Sequence, residues 1–201
     1  LGDIAIKYEK YDQARQYLEE GITLYESHHK TYEAQFLRLR LGFAYQNLGE
    51  YDLARQYYQQ LIFTDKKSEA DAQTGWALEH LAHLENFLEN FAIGRQHSTD
   101  SVEIFERIGW LVGLSSAHKN LASAYYGLGQ YVEARHHFRI ALMIYVKRES
   151  HMNSLAVNII ARSANLLALE GNVARAVELA SFVQQDSHTS DKTKTFATAI
   201  L

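Results

Sequence analysis

Apolar residues in this chain return three or four positions apart, the spacing that puts them on one face of a helix, with polar residues in the intervals. The clearest stretch runs through Leu37, Leu41, Ala44, Tyr45 and Leu48 as one stripe. Gly49 ends that helix, Glu50-Tyr51-Asp52 opens a second, and the new stripe passes through Ala54, Tyr58, Leu61 and Ile62. Each pattern lasts about 17 residues, a helix of about 26 Å. The turns between them are short, so the predicted elements are antiparallel helix pairs, about ten helices in all with no strand.

The pairs recur. At a step of 40 residues the aromatic column reads Tyr11, Tyr51, Phe91, Tyr131, and a small-residue column reads Ala14, Ala54, Gly94, Ala134. Upstream, Leu1-Gly2, Leu41-Gly42, Leu81-Ala82 and Leu121-Ala122 keep the same step. A fifth copy follows after 42 residues, with Val173 in the aromatic column and Ala164 and Ala176 in the small columns. The columns predict one array, with a partial repeat at 1–28, repeats at 31–67, 70–108, 111–149 and 151–186, and the start of a capping helix at 187–201. For that last helix Ser190 is the expected cap, and Phe196, Ala197, Ile200 and Leu201 the expected apolar face. Gly42 is expected to face Ala54, so that two backbones approach closely and Tyr and Leu side chains fill the rest. One pair cannot bury both its faces, and stacking neighbours yields an all-α solenoid with an inner groove. The start at Leu1-Gly2-Asp3, without Met or an apolar leader, and the apolar end at Ile200-Leu201 read as a piece of something longer.

Leu41-Gly42-x-x-Tyr45 followed by Gly49-x-Tyr51-x-x-Ala54-x-x-x-Tyr58 resembles the tetratricopeptide repeat. So does Leu121-Ala122-x-x-Tyr125 followed by Gly129-x-Tyr131-x-x-Ala134-x-x-x-Phe138. The family's repeat is about 34 residues long and closes on Pro; this chain departs from it with a 40-residue step and no Pro. The longer period resembles the extended repeats of kinesin light chains, of polarity scaffolds, and of the carboxyl-terminal arrays of large bacterial signalling ATPases and transcriptional regulators. The segment from Ala176 to Gln185, with His188 after it, is most similar to the end of those bacterial arrays. The resemblance implies a right-handed superhelix of antiparallel helix pairs. It also implies a non-catalytic protein-interaction or sensor module within a bacterial multidomain regulator, with a free-standing peptide-binding scaffold as the alternative.

Composition narrows the chemistry. A chain of 201 residues with average usage would carry about ten prolines, and this one has none. It has no Cys either, which removes disulfides, Cys-ligated zinc and thiol catalysis. No apolar run reaches the length of a membrane span, and a pI near 6.2 argues against a direct nucleic-acid binder, so a cytoplasmic location is expected. Residues 1–100 carry a charge balance of -6 and residues 101–201 one of +2, a dipole that would orient a charged partner. No phosphate-cradling Gly-rich loop, nucleophile elbow or convergent carboxylate pair is present, so no catalytic residue and no cofactor are expected.

Ten His residues raise a metal hypothesis. His80 and His83, one turn apart beside Glu79, are the sharpest pair, but two ligands do not make a site and no metal is expected. The neighbours His28-His29 and His136-His137 point about 100° apart around a helix. Arg15, Arg55, Arg95, Arg135 and Arg175 recur with the repeat, and an outer structural role, stems over apolar neighbours and heads in water, fits them better than an anionic stripe.

The inner wall is the candidate site. In repeats of this kind the first helix of each pair faces inward, and its residues off the packing stripe line the groove. By register these are Arg40, Phe43, Gln46 and Asn47; then Trp76, His80, His83, Asn86 and Phe87; then Lys119, Asn120, Ser123 and Tyr126; then Asn158, Arg162 and Asn165. Amide and cationic side chains bond an extended backbone while aromatic faces anchor side chains, which suits a protein or peptide segment, including one from upstream domains of the same polypeptide. An acidic group would sit near Lys119 and Arg162, and an apolar one against Trp76 and Phe87. Trp76 has a nearly equal alternative as inter-repeat core, because its helix must also pack on the preceding pair. Lys119 followed by Ser123, where co-chaperone repeats would place an Asn, departs from a chaperone-tail receptor.

Overall fold

The structure, a computed structural model, describes residues 1–62, 68–148, 154–185 and 191–198. The elements are α1 (Gly2–Lys7), α2 (Tyr11–Ser27), α3 (Thr31–Asn47), α4 (Tyr51–Ile62), α5 (Ser68–Phe87), α6 (Phe91–Ile108), α7 (Leu111–Gly127), α8 (Tyr131–Arg148), α9 (Ser154–Leu169), α10 (Val173–Gln185) and α11 (Asp191–Thr198). Among the described residues there is no strand, and no helix is long and apolar enough to cross a membrane. Ser190, Ile200 and Leu201, and the side chains of Phe196 and Ala197, lie outside the described residues.

The helices group into two compact units, Leu1–Gly109 and Trp110–Leu201. Within the first, α1 packs on α2, α2 on α3, and so on to α6, and α3 also touches α5 directly. Within the second, α7 pairs with α8 and α9 with α10, while α7 and α9 make a direct contact of their own. In each unit the first helices of successive repeats therefore lie side by side.

The columns of the sequence become the packing surface. Ala14, Ala54, Ala134 and Ala176 are wholly buried, and Tyr58, Phe138 and Leu18, four residues after the first three columns' small residue, are buried with them. Gly42 packs directly against Tyr58, one turn after Ala54 on α4. A Cβ at Gly42 would stand 2.6 Å from Cε1 of Tyr58, so the missing side chain is the notch that receives the Tyr58 ring. The first repeat builds the same joint from Gly2 and Leu18, at 2.8 Å. The cause is direction: Cβ atoms lean toward the helix amino end, so a notch on one helix meets the residue one turn on from the small column of its partner.

Backbone geometry, not side-chain caps, closes the turns. Glu9, Gly49, Glu89 and Gly129, forty residues apart, all adopt left-handed φ values of 57, 82, 62 and 73°. The next residue's N–H then reaches back across the turn: Lys10 to Ala5 O at 2.9 Å, Glu50 to Tyr45 O at 2.9 Å, Asn90 to Glu85 O at 2.8 Å, and Gln130 to Tyr125 O at 2.9 Å. This six-to-one bond satisfies carbonyls that a helix end leaves open. Glu9 and Glu89 hold a conformation that costs a residue with a Cβ about 1 kcal/mol.

Candidate functional site

In unit 1 the face shared by α3 and α5 carries a continuous aromatic strip. Phe43 lies edge-on to Tyr11 at 6.4 Å and tilted to His80 at 5.9 Å. His80 stacks on the buried Tyr58 ring at 5.3 Å and 9°, and Trp76 stands 6.5 Å from His80. At one end Arg40 pairs with Asp3 of α1 at 3.3 Å and lies over the exposed Phe36 ring at 5.1 Å. Asn47 is exposed and bonds the Phe43 carbonyl at 2.8 Å; Phe87, 52% exposed, tilts against Tyr51 at 5.6 Å.

The sequence-derived wall residues therefore separate by role. Arg40, Phe43, Asn47 and Phe87 keep surface available to a partner. Trp76 is half-buried and edge-on to the fully buried Phe105 at 5.1 Å, which gives it a packing duty inside its own helix pair. His83 Nδ1 meets Gln46 Nε2 at 2.9 Å while the Tyr58 hydroxyl donates to Gln46 Oε1 at 3.2 Å. A Gln that accepts at oxygen and donates at nitrogen makes His83 Nδ1 an acceptor, so the neutral ring carries its proton on Nε2. Asn86 is half-buried, with Oδ1 2.2 Å from where a Cβ on Gly94 would stand. His80 and His83 thus serve different neighbours. Among the described residues no group of three or more His, Asp or Glu side chains is placed to hold a metal ion.

In unit 2 the corresponding face carries a polar network. Asn165 donates to the Tyr126 hydroxyl at 2.8 Å, across from α9 to α7, and Arg162 Nε donates to Asn158 Oδ1 at 3.1 Å. Burial lowers the Arg162 pKa, with the nearby Tyr126 hydroxyl opposing, and burial together with Tyr131 raises that of Tyr126. Lys119 is half-exposed, and Ser123 turns back to its carbonyl at 3.0 Å. Asn120 is buried and not on the wall: in α7 it falls between the small residues Ala117 and Ala124, on the side that packs.

Two arrangements escaped the sequence reading. Three members of the arginine column staple repeats together: Arg15 reaches Glu50 at 3.6 Å, Arg55 reaches Glu85 at 2.7 Å, and Arg135 reaches Glu170 at 2.8 Å. Glu85 also accepts from Asn90 at 2.8 Å. Its pKa would rise from burial, but the bonds from Arg55 and Asn90 outweigh that and hold it below the usual carboxylate range. The available signal was Glu50, Asn90 and Glu170, which follow the arginines of the preceding repeat by 35 residues. The second arrangement is a histidine pair between α7 and α8, one ring buried and the other half-buried.

Comparison with known proteins follows the fold. Residues 1–28 and residues 37–62 each match a tetratricopeptide-repeat family model. No curated protein sequence matches the chain. Among solved structures, BtubC (BKLC) from P. vanneervenii is similar at TM-score 0.72 and 14% identity, covering 96% of this chain and 82% of the other. RapI, in its apo form, is similar at TM-score 0.77 and 15% identity, over 99% of this chain and 78% of the other. Kinesin-light-chain-type repeats from Podosopora anserina reach TM-score 0.68 at 17% identity, over 92% and 90%. Two matched repeats and a TPR-like fold from end to end support a tetratricopeptide-repeat family for this chain.

Proposed function

We propose that the chain is a non-catalytic interaction module whose first-helix faces take an extended or helical peptide segment. The observation that carries this is the strip on α3 and α5, where Phe43, Asn47 and Phe87 stay accessible beside Arg40 while Tyr45 and Tyr58 of the same helix pair as Phe43 are buried. Accessible aromatic faces next to a solvent-exposed amide are what a peptide's side chains and backbone need. Stacked repeats generate such extended binding faces as a consequence of their architecture. In unit 2 the Lys119, Tyr126 and Arg162 face suits an acidic portion of a partner.

In this reading the repeats are of the extended 40-residue type, and the parent is a cytoplasmic bacterial signalling or transcriptional regulator whose output domain the array holds until a partner docks. The fold likeness to kinesin-light-chain-type repeats favours a second reading, a free-standing scaffold for extended peptides. A nucleotide-binding Gly-rich loop with Lys elsewhere in the same polypeptide supports the first and its absence the second. Binding itself is tested with peptides selected from a phage-displayed random library. Phe43→Ala and Phe87→Ala should each weaken the selected peptides by about 2 kcal/mol, roughly 30-fold, with the melting temperature nearly unchanged. Undiminished binding in both variants would overturn the assignment.

A further inference from the structure

Between α7 and α8 the structure buries ionisable groups that the candidate wall does not use. His118 is buried on α7, and its Nδ1 lies 3.2 Å from Nδ1 of the half-buried His137 on α8. The two rings stack at 5.2 Å and 19°, Tyr125 of α7 stacks on His137 at 5.4 Å and 1°, and His136 meets His137 edge-on at 5.2 Å. Two neutral imidazoles make this contact when one donates its Nδ1 proton to the bare Nδ1 of the other. Two imidazolium rings cannot, because both nitrogens would carry protons and two positive charges would meet in a poorly solvated gap.

We propose that the His118–His137 pair is an acid-operated latch, holding α7 to α8 while neutral and releasing them when it takes up protons below about pH 6. The surrounding charges are unequal. From α8, His136 adds positive charge when protonated, and Glu133, one turn before His137, opposes it. From α7, Tyr125 stacks on His137 and Lys119 adjoins His118 in sequence. From α9, Arg162, the one charged side chain of that helix, is bonded to Asn158 and adds no negative charge. Burial first, then His137 and His136, pushes His118 down to about 4, and burial with His136 lowers His137 against the pull of Glu133. Both folded values lie below the ordinary histidine value, so the opened chain binds more protons than the closed one. The pair's contribution is complete above about pH 6.5 and is lost as the pH falls toward the folded values. Lys119 and Tyr126 ride on α7, so release would also alter the unit 2 face; that consequence rests on the proposed function, whereas the latch does not.

The test compares thermal melts of the parent chain and of the double variant His118→Asn, His137→Asn at about pH 7.5 and about pH 5. The Asn amides stand where the Nδ1 atoms stand, can bond to each other, and do not titrate. The parent should lose at least about 5 °C more than the variant over this interval. Equal losses would overturn the latch. A histidine NMR titration of the parent alone decides the matter if the double variant does not fold. Midpoints for His118 and His137 well below 6, with amide exchange of α7 and α8 rising as they titrate, support the latch; midpoints near 6.5 for both would refute it. Either result stands apart from peptide binding, which the unit 1 variants read separately.

Discussion

Replacing Arg55 with Ala removes the inner partner of a carboxylate that water scarcely reaches. The side chain of Glu85 is 4% exposed and that of Arg55 28%, with 2.7 Å between Nε and Oε1. Stranding one half of a fully buried pair typically costs about 3–5 kcal/mol. Here Arg55 is more than a quarter open to solvent and Asn90 remains bonded to the other carboxylate oxygen at 2.8 Å, so we expect a cost of about 2 kcal/mol. The neighbouring ion pair to Asp52 adds little, since that carboxylate is 93% exposed. Arg135→Ala is the internal control: its bond to Glu170 is 2.8 Å, but the two side chains are 54% and 22% exposed, which predicts less than about 1 kcal/mol. Urea denaturation of both variants, followed by circular dichroism, measures the difference. The Glu85 pKa is depressed in the folded chain, so its contribution is present above the unfolded carboxylate value and disappears as the pH falls through the folded one. The gap between parent and Arg55→Ala should therefore close in strong acid. Equal costs for the two arginines, or a gap that persists unchanged in acid, would refute the staple.

Glu89→Gly should raise stability by about 0.5–1 kcal/mol in the same denaturation assay, because the position holds φ 62° and its forty-residue counterparts at 49 and 129 are already Gly. Gly42→Val should lower it by about 2 kcal/mol or more, since its first side-chain atom would meet the buried Tyr58 ring at 2.6 Å. Trp76→Ala should cost about 3 kcal/mol through its contact with Phe105, while Phe87→Ala, at the exposed end of α5, should cost less than about 1 kcal/mol; thermal melts separate the two.

The features legible in the sequence were those that repeat through the chain. Helix starts at 11, 51, 91 and 131 coincide with the aromatic column, because a residue recurring every 40 positions meets the same neighbours each time. Periodicity gives the face of a helix but not the partner across it. That is why the Tyr58 ring in the Gly42 notch was not foreseen, and why Asn120 was placed on the wall although it is buried. The histidine pair was invisible for a related reason. His136 and His137 were judged as neighbours on one helix, whereas the contact that matters joins His137 to His118 on another, 19 residues earlier. Arg15, Arg55 and Arg135 of the arginine column pair across to the next repeat, with Glu50, Glu85 and Glu170 at unequal intervals, which the column alone did not show. The division into two compact units at Gly109 left no mark in the repeat step, although the charge balance changes sign near it.

The central claim is that the first-helix face of unit 1 binds a polypeptide segment, and the most direct measurement is a two-dimensional NMR titration of the isotopically labelled chain with a peptide selected from a random phage-displayed library. Binding in the proposed mode gives saturable shifts concentrated on Arg40, Phe43, Asn47 and Phe87, with little change at outer positions such as Tyr17 of α2 and Leu53 of α4. Shifts centred on α2 and α4, or a library that yields no saturable binder, would contradict it.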